Sequence, residues 1–226
     1  MRIFDLLSKL LMDDDTKRDF QAEGRELSGF RGLLMVFSGH FRHLTLYNLL
    51  GVLAGAAFLA STLNPWWHAT VIGGAFVGTG RTLDAFAFFL SHNIPPEGWR
   101  FIIETPLPAS VVLVCGLLGY FLIVLWGATS AGKKGMLFVA SGGLLMLIYT
   151  AGFFGTVFFA CYRIGGTPLG EFPLEATFPV TVEPRFLPSY YYAIGAGVAC
   201  LLSSFIHGIF TIKLHRKKKS DLVGTA

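Results

Sequence analysis

Four stretches of this chain carry no charged side chain: Leu44–Trp67, Leu107–Gly132, Gly135–Tyr162 and Ser189–Ile212. Each meets or exceeds the ~20 residues that a helix rising 1.5 Å per residue needs to cross about 30 Å of hydrocarbon. The rest of the composition fits the same solvent: 53% of the 226 residues are apolar and only 14% are charged, against roughly a quarter charged in soluble domains. The expectation is an all-α polytopic membrane protein. Its four transmembrane helices cover about 44–64, 108–129, 136–162 and 189–212 within a membrane domain 44–213. The apolar run from Ala69 to Gly80 is cut short by Arg81 and Asp84 and is read as interfacial, with those two residues, three apart on a helix, as a possible pair.

Basic residues set the orientation, because short cytoplasmic loops accumulate Lys and Arg. Segment 1–43 holds seven, Lys133 and Lys134 lie in the turn between the second and third spans, and five more follow from Lys213. The two long connections, 64–108 and 163–188, hold only Arg81, Arg100, Arg163 and Arg185. Fourteen against four places both termini in the cytoplasm of a plasma or inner membrane and the two connections outside. No cleavable signal is evident, since Asp5 and the Asp13–Asp15 triplet interrupt the opening segment.

Ile3, Leu6, Leu7, Leu10 and Leu11 recur at helical spacing opposite Asp5, Ser8 and Lys9, which predicts an amphipathic helix inside a cytoplasmic segment 1–43. Asp15 is a candidate N-cap for a second, charged helix from Thr16. In the outer connection 163–188, residues from Phe172 to Val182 alternate apolar and polar. Pro173 and Pro179 make this an edge strand or a polyproline-like ledge. Phe172, Leu174, Phe178 and Val180 on its apolar side are candidate partner-docking residues, to be covered by the 64–108 connection, the bilayer surface or another subunit.

Within the spans, Gly51, Gly55, Gly152 and Gly155 are candidate helix-packing positions, because small residues let membrane helices approach closely. His207, expected inside the fourth span, and His43, which with His40 sits at the entry of the first, are a geometrically allowed candidate pair of haem ligands, although packed or interfacial histidines account for them more simply. Cys115, Cys161 and Cys200 read as buried small apolar residues. No hydrolase elbow, phosphate loop or metalloprotease helix is present in the sequence. No cofactor is expected. Lys213, Arg216, Lys217, Lys218 and Lys219, in and before the basic tail 214–226, anchor the topology and could touch anionic lipid.

The stretch Phe41–Gly51, with Pro65 and the glycine-rich Gly73–Gly80 segment, resembles the opening of YesL-like membrane proteins associated with carbohydrate import. That resemblance implies a further span over 69–90, which the charge distribution opposes, and a link to transport. With no charge in the middle of any predicted span and no catalytic constellation, the expected role is a non-enzymatic integral membrane subunit of an energy-converting or transport complex. The alternatives are a transport or channel component for a small solute, homo-oligomeric or coupled to an ATPase, and a haem- or quinone-linked redox subunit.

Overall fold

The computed structural model describes residues 2–12, 17–18, 21, 29–42, 44–73, 81–87, 90–92, 107–174 and 180–213. The described residues form six helices and two sheets. The helices are α1 (Arg2–Leu11), α2 (Gly29–Arg42), α3 (Leu49–Ser61), α4 (Leu107–Thr129), α5 (Gly132–Arg163) and α6 (Pro188–Ser203), the last continued by a 3-10 turn to Ile206. The strands are β1 (Thr45–Leu46), β2 (Trp67–Gly73), β3 (Arg81–Ala85), β4 (Leu90–His92), β5 (Phe172–Leu174), β6 (Val180–Phe186) and β7 (Ile212–Lys213).

This mixed α/β architecture overturns the all-α, four-span expectation. Two described helices, Gly132–Arg163 and Pro188–Ile206, are long and apolar enough to cross a membrane. The first predicted span fails on length, because α3 has 13 residues and covers only about 20 Å at 1.5 Å per residue. Its N-terminus is fixed where Asn48 accepts the Gly51 amide at 2.8 Å, and at its other end the Ser61 and Thr62 hydroxyls donate back to Phe58 and Leu59. In α4 the described apolar stretch is Gly116–Thr129. The fourth predicted span ends early, with His207 in the turn beyond the last helical residue rather than inside the helix.

The two long connections are not plain loops. They supply an antiparallel five-stranded sheet in the order β4-β3-β2-β6-β5. Residues 69–90 therefore form neither an interfacial helix nor a further span: Ala69–Gly73 belong to β2, and Arg81–Ala85 form β3. Thr70, Val71 and Ile72 are β-branched and suit a pleated surface better than a helix. The expected pairing of Arg81 with Asp84 on a helix has no described counterpart, because both lie on β3 and the Arg81 side chain is outside the described residues. Asp84 pairs with His68 instead, at 2.7 Å.

The alternation from Phe172 to Val182 marks a hairpin, with Phe172 opposite Val182 and Leu174 opposite Val180. β6 lies inside the sheet, between β5 and β2, so only the β5 half of that segment is an edge. Pro184 is tolerated because β5 stops opposite Val182, leaving β6 paired there only with β2, where Pro184 meets Ala69. Val180, Val182, Pro184 and Phe186 are buried, as are Trp67, Ala69, Val71, Leu83 and Ala85 on the neighbouring strands.

Trp66 joins the sheet to the helices. Its backbone bridges β3 and the start of α6, accepting from Leu187 and donating to Ala85 at 2.9 and 2.8 Å. Its fully buried ring sits edge-on to Phe58 of α3, Tyr149 and Phe153 of α5, and Tyr190 of α6. The indole N–H donates to the Ser61 carbonyl at 3.0 Å. A residue that buries a large aromatic surface and satisfies its one donor fixes both layers at once.

Candidate functional site

The helices are packed in a way opposite to a soluble core. Along α5 the buried positions are Gly135, Val139, Gly142, Gly143, Met146, Thr150, Val157 and Cys161, whereas Leu137, Leu144, Ile148, Phe158 and Phe159 are exposed. α6 buries Ser189, Tyr190, Ala193, Ala196, Gly197, Cys200 and Ser203 and exposes Tyr191, Tyr192, Val198 and Leu202. Many of the buried positions are small or hydroxyl-bearing, joined by Val139, Met146, Val157 and Tyr190, while several of the largest apolar side chains face out. Only 22% of the most apolar stretch of α5, and 39% of that of α6, is buried in the chain. A core helix of a soluble protein would be mostly buried, whereas these two leave an apolar surface uncovered by the described chain.

Close backbone approach holds this arrangement together. A methyl group at Gly143 would sit 2.7 Å from the Leu201 amide nitrogen and 3.1 Å from the Gly197 carbonyl oxygen, so α5 and α6 meet nearly main chain to main chain. Gly127 and Gly135 serve the α4–α5 contact in the same manner. Gly51 and Gly55, expected from their spacing, are buried and face Val139 and Phe121 at 3.1 Å each. Gly152 and Gly155 stand exposed with nothing within 4 Å.

Where α3, α4, α5 and α6 end or begin near the β1–β7 pair, polar side chains converge. Asn48, 4% exposed, caps α3 and donates its amide hydrogens to the Ser203 carbonyl and hydroxyl at 3.0 and 3.2 Å. The Tyr47 and Asn48 amides both donate to the Ala128 carbonyl, and the Gly208 amide donates to Tyr47. His207 donates from Nε2 to the Ser130 carbonyl at 3.0 Å and stacks on Tyr47. Its Nδ1 then carries a lone pair, buried and without a partner. Burial holds the His207 pKa below the ordinary value, opposed by the Ser130 carbonyl. His40 lies flat on Trp126, with ring centroids 4.2 Å apart, and donates from Nε2 to Thr129 Oγ1, whose own proton goes to the Leu125 carbonyl. His43 lies outside the described residues, so the histidine partner expected for His207 has no described position.

A second polar group stands on the open face of the sheet. His68 Nδ1 contacts Asp84 at 2.7 Å and Nε2 contacts Thr70 Oγ1 at 3.1 Å. This is the connectivity of a hydroxyl–imidazole–carboxylate relay. A hydrolytic reading would also need backbone N–H groups aimed at a developing oxyanion. β2 is paired on both sides, to β3 and to β6, so its ladder amides are already engaged. The group reads as a clamp between β2 and β3. Beside it, Thr70, Leu169, Gly170, Glu171, Glu183, Pro184 and Arg185 line an open cleft of about 470 Å³.

Of the expected docking residues, Phe172 and Val180 are 5% and 9% exposed and join the core formed by the chain's own sheet. The side chain of Leu174 and all of Phe178 lie outside the described residues, as do Arg216 and Lys217–Lys219 of the basic tail. Lys213 is exposed in β7, opposite Thr45. Cys161 and Cys200 are buried. Among the described residues no group of three or more His, Cys, Asp or Glu side chains is placed to hold a metal ion. Sequence reasoning missed Gly143 and Asn48; the Gly142–Gly143 pair within an apolar helix was the available signal for the first.

No family model matches the chain, and a comparison with curated proteins finds no match.

Proposed function

We propose that this chain is a multi-pass integral membrane protein that acts as a non-enzymatic subunit of a larger membrane complex. The observation that carries the reading is the inverted packing of α5 and α6, with Gly142, Gly143, Thr150, Gly197 and Ser203 inside and Leu144, Ile148, Phe158 and Leu202 outside. The 32 residues of α5 extend about 48 Å at 1.5 Å per residue, enough for the hydrocarbon core and both headgroup layers. Lys133 and Lys134 stand at one end of α5 and Arg163 at the other. Fourteen of eighteen basic residues fall on the Lys133 side of this arrangement, which orients that end, both termini and the β1–β7 pair toward the cytoplasm. The five-stranded sheet then caps the outer end.

Association with another subunit is supported by Gly152 and Gly155. They leave an open notch on a helix face otherwise formed by Ile148, Phe158 and Phe159, and a notch of small residues in lipid is best filled by another helix. The test is Gly152→Cys crosslinking in native membranes together with native-gel mass after mild detergent extraction. Crosslinked products and a mass above the 24.7 kDa chain plus detergent support the reading. A clean monomer that never crosslinks refutes it.

A further inference from the structure

The α1–α2 pair carries a large apolar surface outward, beside the exposed Lys9, Arg31 and Ser38, and turns Ser8 and His40 toward the protein. On α1, Ser8 is 1% exposed, while Ile3, Leu6 and Leu10 are 73%, 67% and 51% exposed. The polar groups are used internally: Asp5 accepts the Gly29 amide at the start of α2, and the Ser8 hydroxyl donates to the Asp5 carbonyl. On α2, Gly32, Val36, Gly39 and His40 are buried, whereas Phe30, Leu34 and Phe37 are exposed at spacings of four and three. Phe4 and Phe30 meet edge to face at 5.6 Å and join the two stripes into one surface. A water-facing amphipathic helix would be rotated the other way.

We infer that this surface lies in the lipid–water interface of the cytoplasmic leaflet, with its apolar stripe among the upper acyl chains. Two ties set its depth. Lys134, in the first turn of α5, donates to the Lys9 and Met12 carbonyls at 2.8 and 3.1 Å and so fastens the C-terminal end of α1 to the start of the span. At the other contact, Phe37 packs edge-on to Trp126 at 4.9 Å and His40 bonds to Thr129, which holds α2 against the last turn of α4. Both helices therefore lie at the level of the α4–α5 turn. Leu122 and Leu125 near the end of α4 and Leu137 near the start of α5 are exposed as well. A lipid surface covers all of these at once.

Charge does not carry the contact. Segment 1–43 has seven basic and seven acidic residues, so insertion rests on apolar burial, about 5–10 Å into the boundary of headgroups and acyl chains. Depth is then the same in zwitterionic and anionic bilayers.

This inference rests on the membrane reading above, and the experiment separates the two. The full chain, with Cys115, Cys161 and Cys200 changed to Ala, carries Leu6→Cys, Leu34→Cys or Ile148→Cys labelled with an environment-sensitive fluorophore. It is reconstituted in phosphatidylcholine vesicles, with or without phosphatidylglycerol, containing lipids brominated either near the headgroup or deep in the chain. The labels at 6 and 34 should be quenched most by shallow bromine and that at 148 by deep bromine, with unchanged depth in the anionic vesicles. The inference is overturned if labels 6 and 34 respond only to aqueous iodide, or to neither quencher because protein covers them, while label 148 is still quenched from the lipid. Loss of lipid quenching at all three sites removes the membrane reading itself.

Discussion

Gly143→Ala tests whether α5 and α6 are held by main-chain contact. The added methyl carbon would lie 2.7 Å from the Leu201 nitrogen and 3.1 Å from both the Leu201 Cα and the Gly197 oxygen. Carbon contacts are optimal near 3.5–4.0 Å, so about 0.8 Å must be gained, and no side chain can rotate to provide it. The helices must part locally, loosening the packing of the buried Ala196, Gly197 and Cys200. Overpacking of this kind costs about 1–3 kcal/mol, partly offset by alanine's better helix propensity of roughly 1 kcal/mol measured in water. The net loss is about 0–2 kcal/mol, and Gly143→Leu should prevent folding. Gly152→Ala on the same helix meets open space and should leave the isolated chain unchanged or slightly more stable. The assay is the unfolded fraction in mixed micelles titrated with denaturing detergent. Equal midpoints for Gly143→Ala and Gly152→Ala would refute the packing account.

Asn48→Ala removes a helix cap and leaves the buried Ser203 carbonyl without its donor. The cap is worth about 1 kcal/mol and the stranded group about 1–3 kcal/mol, so a loss of about 2–4 kcal/mol is expected in the same titration. Asn48→Asp should restore the cap but not the bonds to Ser203. For His207 the folded pKa lies below the ordinary 6.5 because of burial. The unfolded chain therefore binds the proton first, so stability is unaffected above pH 6.5, falls as pH drops through that value, and levels off below the folded pKa. His207→Gln, which retains a donor for Ser130, should remove that component of a pH-dependent unfolding series. Val182→Asp places a charge at a fully buried position in the sheet and should cost about 3–5 kcal/mol. Thr181→Asp, on the exposed side of β6, should change stability by less than about 0.5 kcal/mol, with protease resistance of the 163–188 segment as the readout.

Helices α5 and α6 were legible because an uncharged run of their length is a signal that needs no partner. The five-stranded sheet was only half legible. Alternation from Phe172 to Val182 revealed a buried face, but β2 pairs with a strand more than a hundred residues away, and strand pairing over such separation leaves no local mark. Within 69–90 the β-branched run Thr70–Ile72 was short enough to pass as part of an interfacial helix. Glycine spacing located close contacts only in part: Gly51 and Gly55 are buried, whereas Gly152 and Gly155, equally small and on a longer helix, face outward. Spacing identifies a stripe but not the rotation of the helix that carries it. The same holds for α1, whose amphipathic pattern was plain while its inverted orientation depends on the Asp5 contact with α2 and the Lys134 contact from α5.

The central claim, that α5 crosses the bilayer with its Lys133 end in the cytoplasm, is tested most directly by sidedness. Lys133→Cys and Glu171→Cys sit on exposed residues at and beyond the two ends of α5, and each is introduced into the background with Cys115, Cys161 and Cys200 changed to Ala. Both are treated with a membrane-impermeant maleimide in sealed right-side-out vesicles, before and after the membrane is opened. The account predicts that position 171 reacts in the sealed vesicles and position 133 only after opening. Reaction of both sites from the same face would contradict it.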